Sequence, residues 1–242
     1  MKIDTNYDFR KDLKFWQNDV DRHSLTLKGY HKYLWQKNLP SGNHFNLSDD
    51  IAGDYLTFKT NLDVIRLSSD WIINTYLHWS TLKGLKSQVD KKDYDDFNNI
   101  AHTIGSYIIF PLNPLGTPRS IETINTGRCK SPNCMIKDRF DITLECIRRY
   151  YLSIESPLTE TIKRYDYYFK LFINFRGFCD FFLLQDLTRN NYSEINFFLP
   201  FSEFVLNPHP KTINEYNEYR KKAIEFVKCR NKRILEYNPN PV

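Results

Sequence analysis

The chain of 242 residues holds only 8 glycines and no apolar run approaching the ~20 residues that cross a bilayer. Set against 41% hydrophobic and 16% aromatic residues, the scarcity of glycine excludes a disordered or low-complexity chain. The lack of a long apolar run predicts a soluble protein with no membrane partner. Five cysteines make an odd set without framework spacing, so no disulfide scaffold is expected. A chain of this length buries enough surface to need no such staple. The start is charged at Lys2, Asp4, Asp8, Arg10 and Lys11, where a secretory leader would be apolar. Together these features predict a cytoplasmic protein with free thiols.

Familiar chemical signatures are missing as well. There is no Walker A loop, no GxGxxG, no HExxH, no GxSxG and no EF-hand loop. Cys129 and Cys134 lie five apart, but zinc would need two further soft ligands at recognisable spacing, and none is present. No metal ligand is assigned on this basis, and the cofactor stays unknown. A cysteine nucleophile at either position would need a histidine base, which the sequence does not place there.

The formal net charge is +5, and Val205 to Val242 carries eight Lys and Arg against four Glu. This concentrates the positive charge in the C-terminal segment. It permits a nucleotide or nucleic-acid partner without requiring one, because a solvated basic helix face is the simpler reading.

The elements present predict an α+β fold, predominantly helical, with about six helices, a few short strands and one domain over residues 1–242. Phe9, Leu13, Trp16 and Val20 follow helical spacing, and Ser24 is placed to cap a second helix carrying Leu27, Tyr30, Leu34 and Trp35. Pro40-Ser41-Gly42 breaks it. Tyr55 to Thr60 reads as a strand that pairs with Val64 to Leu67. Ser68 or Ser69 then caps a helix bearing Asp70, Trp71, Thr75 and His78. A histidine among tryptophans could position a ring or act as a base, although a buried core histidine is the commoner case. Leu85 to Asp95 reads as a solvated connection, and Tyr107 to Phe110 as a buried strand ended by Pro111 and Pro114. A long loop covers Leu112 to about Lys137. Leu158 to Phe172 and Phe178 to Leu187 form the most apolar part of the chain. A final helix runs from Ile213 to about Tyr237, with Lys221, Lys228 and Lys232 on its outer face.

The densest polar cluster lies where that long loop meets a helix near Asp138. At helical spacing Asp138, Asp141, Glu145, Arg148 and Arg149 share an arc of about 100°, while Phe140, Leu144, Ile147 and Tyr151 form the apolar flank. Asn125 and Arg128 arrive from the loop. Helix-dipole pairing and a Glu145–Arg149 salt bridge account for most of this pattern. Two carboxylates and Arg128 remain in surplus. Three arginines in one place suit a bidentately held phosphate, and three carboxylates suit metal-dependent hydrolysis.

Thr103-Ile104-Gly105 leading to Ile108-Ile109-Phe110-Pro111 begins a pattern that resembles a known family. The pattern continues with Ile124-Asn125, Asp138 to Asp141, Arg148 to Tyr151 and Phe181 to Leu187. Asp21 to Ser24, Tyr30-His31 and Leu34-Trp35 fit it too. The resemblance is to an uncharacterised family of bacterial and phage proteins. It covers nearly the whole chain and implies one coherent domain and a bacterial or phage origin, with an infection-related role if the setting is phage defence. It implies no activity, cofactor or catalytic residue.

The leading expectation is thus an intracellular protein that binds a phosphate-containing ligand, nucleotide or nucleic acid, through Asn125, Arg128, Arg148 and Arg149, with His78 as a further ligand-binding residue. The alternatives are a metal-dependent hydrolase or nuclease using Asp138, Asp141 and Glu145, and a protein-interaction module with no catalytic site. Whether the chain is an enzyme stays open.

Overall fold

A four-stranded antiparallel sheet in the order β1-β2-β3-β4 organises the computed structural model, which describes residues 2–59, 64–76, 82–114, 123–129 and 136–237. Strands β1 (Leu47–Asp49), β2 (Leu56–Lys59), β3 (Val64–Trp71) and β4 (Tyr107–Pro114) pair in turn. The expected β2–β3 pairing is present, with Leu56 opposite Leu67 and Phe58 opposite Ile65. Those four side chains are buried, as a pleated strand with one face on a core requires. A two-residue hairpin, β5 (Thr188–Arg189) with β6 (Glu194–Ile195), stands apart. The fold is α+β.

Three features of the sheet differ from expectation. Ser68 and Ser69 do not cap a helix. Strand β3 runs on through Asp70 and Trp71, which face Ile108 and Tyr107. The pairing partner lies some forty residues away, and that long-range ladder overrides the local Ser-Ser-Asp capping signal. Pro111 does not end β4, which continues to Pro114 with a register shift near Leu67. A proline is tolerated there because β4 is an edge strand, with one side free of ladder bonds.

Helices are shorter and more numerous than about six. The Phe9–Trp16 stripe is not a helix. Asp8 caps one 3-10 turn, Phe9–Asp12, and Leu13 leaves it in extended backbone. Helix α1 (Val20–His23) follows, and α2 (Leu25–Trp35) starts at the expected cap, where Ser24 Oγ accepts from Leu27 N–H at 3.0 Å. The expected connection from Leu85 to Asp95 is instead occupied at both ends, by the close of α3 (Lys83–Lys86) and the first half of α4 (Lys91–Ile100). The long loop contains α5 (Ile124–Cys129).

Helix α6 (Phe140–Tyr151) begins two residues after Asp138. The apolar stretch beyond it divides into α7 (Thr159–Lys163), α8 (Asp166–Phe169), a 3-10 turn (Lys170–Phe172) and α9 (Phe175–Phe181). Phe172, Phe178, Phe181 and Phe182 meet there ring to ring at 4.9–5.3 Å. Beyond α9 only β6 reaches into the apolar run 195–201, at Ile195.

The last helix, α10 (Ile213–Glu236), is as expected and opens with a capping box between Thr212 and Glu215. It buries Tyr216, Tyr219, Ala223, Val227 and Ile234. Among the described residues no helix is long and apolar enough to cross a membrane.

Candidate functional site

A cleft of about 800 Å³ opens between the N-terminal segment, β3 and the turn before α6. Its floor is set by β3. Helix α1 packs on that strand and brings Asp21 over it, where Asp21 Oδ2 accepts from Ser68 Oγ at 2.9 Å and Oδ1 from the Ser69 N–H. Asp70, two residues along, accepts from the Trp71 N–H at 2.9 Å and from Arg128. Asp138 comes from the far side. Its carboxylate lies 3.3 Å from Arg128 Nη1 and accepts from the Asn74 amide. Asp138 and Lys137 both take left-handed backbone, with φ of 63° and 49°. Non-glycine residues seldom hold this conformation in succession, and it tends to persist where surrounding contacts impose it. Here Asp138 N–H bonds Arg128 O at 3.1 Å, and Arg128 Nη2 bonds Asp138 O at 3.0 Å.

Burial raises two of these carboxyls. It pushes Asp21 up to about 7, opposed by the Ser68 and Ser69 hydrogen bonds. It pushes Asp70 up to about 6, opposed by Arg128 and reinforced by Asp138. One wall carries His102, whose ring meets Trp71 edge-on at 5.0 Å. His102 Nδ1 lies 2.7 Å from the Asn98 carbonyl, so Nδ1 must hold the proton and Nε2 the lone pair. Burial lowers the basicity of that ring. Tyr107 also lines the cleft, with its hydroxyl buried beside Trp71. The rim carries Arg10, held by Asp8 at 2.6 Å, and Lys14 and Phe15.

A model of a family of unknown function, DUF6994, matches residues 3–234. The chain belongs to this family. The DUF6994 match takes in every residue of the cleft named above. No curated protein and no solved structure matches the chain.

The charged residues singled out in this DUF6994 chain by helical spacing do not form one cluster but divide among separate ion pairs. Asp138 is not on α6, because Arg139 is the N-terminal flanking residue and the helix starts at Phe140. Asp141 is fully buried and pairs with Arg139, which also donates to the carbonyls of Leu199 and Pro208 at 3.1 and 3.0 Å. Glu145 holds both Arg148, at 2.7 Å, and Arg149, at 2.8 Å. The expected Glu145–Arg149 bridge therefore exists, and a second arginine shares it.

Arg128 is fully buried. Beyond the two aspartates it donates to Thr143 Oγ1 at 3.1 Å and lies 5.7 Å from the Phe140 ring. Asn125 lies on α5, with its side chain outside the described set, and His78 lies outside the described residues. Among the described residues no group of three His, Cys, Asp or Glu could hold a metal ion. Each carboxylate suggested for metal chemistry has its own cation instead: Arg128 for Asp138, Arg139 for Asp141, and the Arg148–Arg149 pair for Glu145.

The sequence reading missed Asp21, Asp70, Ser68, His102 and Tyr107. The available signal was the β-prone run Val64 to Leu67, which alternates and does not stop at Ser68. The lysine stripe is real, since Lys221, Lys228 and Lys232 are exposed. The C-terminal surface is less basic than the residue count, because Arg230 is buried and Arg220 and Arg233 pair with Asp93 and Asp186.

Proposed function

We propose that the chain binds a nucleotide or a related phosphate-containing ligand in the cleft over β3. One observation carries this reading: acceptor carboxylates on the inner surfaces, with rings and an exposed lysine at the mouth. Asp21 and Asp70 pay for burial with raised proton affinity, so a ligand that donates hydrogen bonds to them is favoured. Sugar hydroxyls or base amino groups are such donors. Trp71 and Phe15 offer flat faces for a base, a contact that does not depend on its identity. A phosphate is excluded from the acidic floor by charge and fits the mouth, beside Lys14. The proposed phosphate contact thus moves from Arg128, Arg148 and Arg149, which are held by carboxylates, to the rim.

The test is a thermal-shift and calorimetric titration with adenosine, AMP and ATP. Stabilisation by a nucleotide, lost in Asp21→Asn and weakened in Lys14→Ala for AMP and ATP more than for adenosine, is the expected result. A melting temperature unmoved by millimolar nucleotide would sink the reading.

A further inference from the structure

At the mouth of the cleft the chain makes a tight turn from Lys14 to Gln17. The Gln17 N–H bonds Lys14 O at 2.9 Å, and the Lys14 N–H bonds Gln17 Oε1 at 2.9 Å. The two central positions are Phe15 and Trp16, where turns ordinarily carry small or polar residues. Both rings face solvent, Phe15 at 96% and Trp16 at 65% of full exposure, in edge-to-face contact at 4.8 Å.

The turn is fixed at its base and does not hang free. Phe9 is fully buried against Tyr30 and Tyr107, and its N–H bonds His102 O at 3.1 Å. The rings therefore stay exposed although the chain on either side is anchored.

Two exposed lysines flank the turn. Lys14 Nζ sits 5.4 Å over the Trp16 ring, and Lys11 Nζ 5.9 Å over Tyr7. Neither lysine forms an ion pair among the described residues, and both are exposed. The nearby acids are tied into the fold by hydrogen bonds. Asp12 takes the hydroxyls of Ser24 and Tyr7 and the Thr26 N–H, Asp8 grips Arg10, and Asp19 caps α1. Exposed rings flanked by unpaired lysines complement a polyanion with flat faces, namely unstacked bases on a phosphate backbone.

We propose that Phe15 and Trp16 form a stacking platform for single-stranded nucleic acid, with Lys11 and Lys14 holding the flanking phosphates. For its ligand class the proposal rests on the nucleotide reading of the cleft, whose mouth shares Phe15 and Lys14. A duplex is disfavoured because its bases are already stacked and its faces are closed to the two rings.

The experiment titrates the full chain with oligo(dT) of about 15 nucleotides, with the matching duplex and with dTMP, following tryptophan fluorescence at low ionic strength. The expected result is quenching by the single strand, with affinity falling steeply as salt rises. Phe15→Ala and Trp16→Ala should each weaken it about tenfold or more, at the ~1–3 kcal/mol a stacked base contributes. Both rings are exposed, so neither substitution should lower the melting temperature. Absence of single-strand binding at low salt overturns the proposal, as does binding that both variants leave unchanged. Concentration-dependent self-association lost in Trp16→Ala would assign the rings to a second copy of the chain and equally overturn it. dTMP binding without single-strand binding would leave the cleft reading standing, whereas Trp16-dependent single-strand binding with no mononucleotide shift would remove that reading alone.

Discussion

The Arg139 guanidinium and the Asp141 carboxylate, two residues apart, form a fork-to-fork pair with both side chains fully buried. Asp141 also accepts the Phe198 N–H at 2.9 Å, so the pair ties the first turn of α6 to the segment before Pro200. Removing one member leaves the other charge buried without its counter-ion, which costs about 3–5 kcal/mol. Asp141→Asn should lower the unfolding free energy by that amount, read as a lower urea midpoint at unchanged slope. The double variant Arg139→Met with Asp141→Leu should lose less than the sum of the single variants. An Asp141→Asn protein as stable as wild type would show that the pair is not closed in solution.

Arg128 links α5, β3 and the Asp138 turn from the interior, and it forms ion pairs with both Asp70 and Asp138. Arg128→Lys keeps the charge but loses the forked donors that reach Thr143 and the Asp138 carbonyl together. The variant should be destabilised by about 2–4 kcal/mol, with the cleft losing nucleotide affinity in parallel. Circular dichroism melts and the nucleotide titration measure the two effects. Lost affinity with no lost stability would mean that Arg128 touches the ligand directly.

What the sequence disclosed was local. Ser24 as a cap, the β2–β3 pair and the inward face of α10 depend on neighbours within a few residues. The cleft depends on distant ones. Asp21 and Ser68 lie 47 residues apart, and Asp70 and Arg128 lie 58 apart. Ser68-Ser69-Asp70 carries a strong helix-start signal, and only the β4 ladder makes it a strand floor. Helical periodicity likewise placed Asp138 with Asp141 and Glu145, because the sequence has no mark for the left-handed turn at Lys137 and Asp138. The Phe9–Trp16 spacing was regular yet led one ring into the core and the other into solvent.

The raised carboxyls give a signed pH dependence. Asp21 lies at about 7 and Asp70 at about 6 when folded, against ~3.9 unfolded. A raised group contributes stability below its unfolded value and loses it as pH climbs through the folded one, so both weaken the fold from about pH 4 to pH 7. Burial lowers His31 to about 3 and His209 to about 4, against ~6.5 unfolded. Their contribution is present above pH 6.5 and lost as pH falls toward 4. The two sets oppose each other, so the wild-type profile should be shallow between about pH 4 and 6.5. Asp21→Asn removes one member of the first set. Its stability relative to wild type should therefore rise from pH 4 to pH 7, by a few kcal/mol at most, in urea melts. A difference constant across that range would show that Asp21 does not titrate there.

Glu145 decides whether α6 also offers an anion site. Its carboxylate engages Arg148 Nε and Nη2 at 2.7 and 3.0 Å and Arg149 Nε at 2.8 Å. Both guanidiniums therefore share one acid, which leaves the trio with a net positive charge, and each keeps some exposure. Wild type, with one acid already held in the fork, should gain less from inorganic phosphate at this position than a variant without that acid. In Glu145→Gln the two arginines lose their counter-charge and become a fork for an external oxyanion. The variant should lose about 1 kcal/mol of stability, the scale of partly exposed pairs, and regain it with millimolar phosphate. Thermal melts with and without phosphate read both changes. A phosphate shift in wild type that Arg148→Ala removes would return the anion site to the end of α6, away from the cleft mouth.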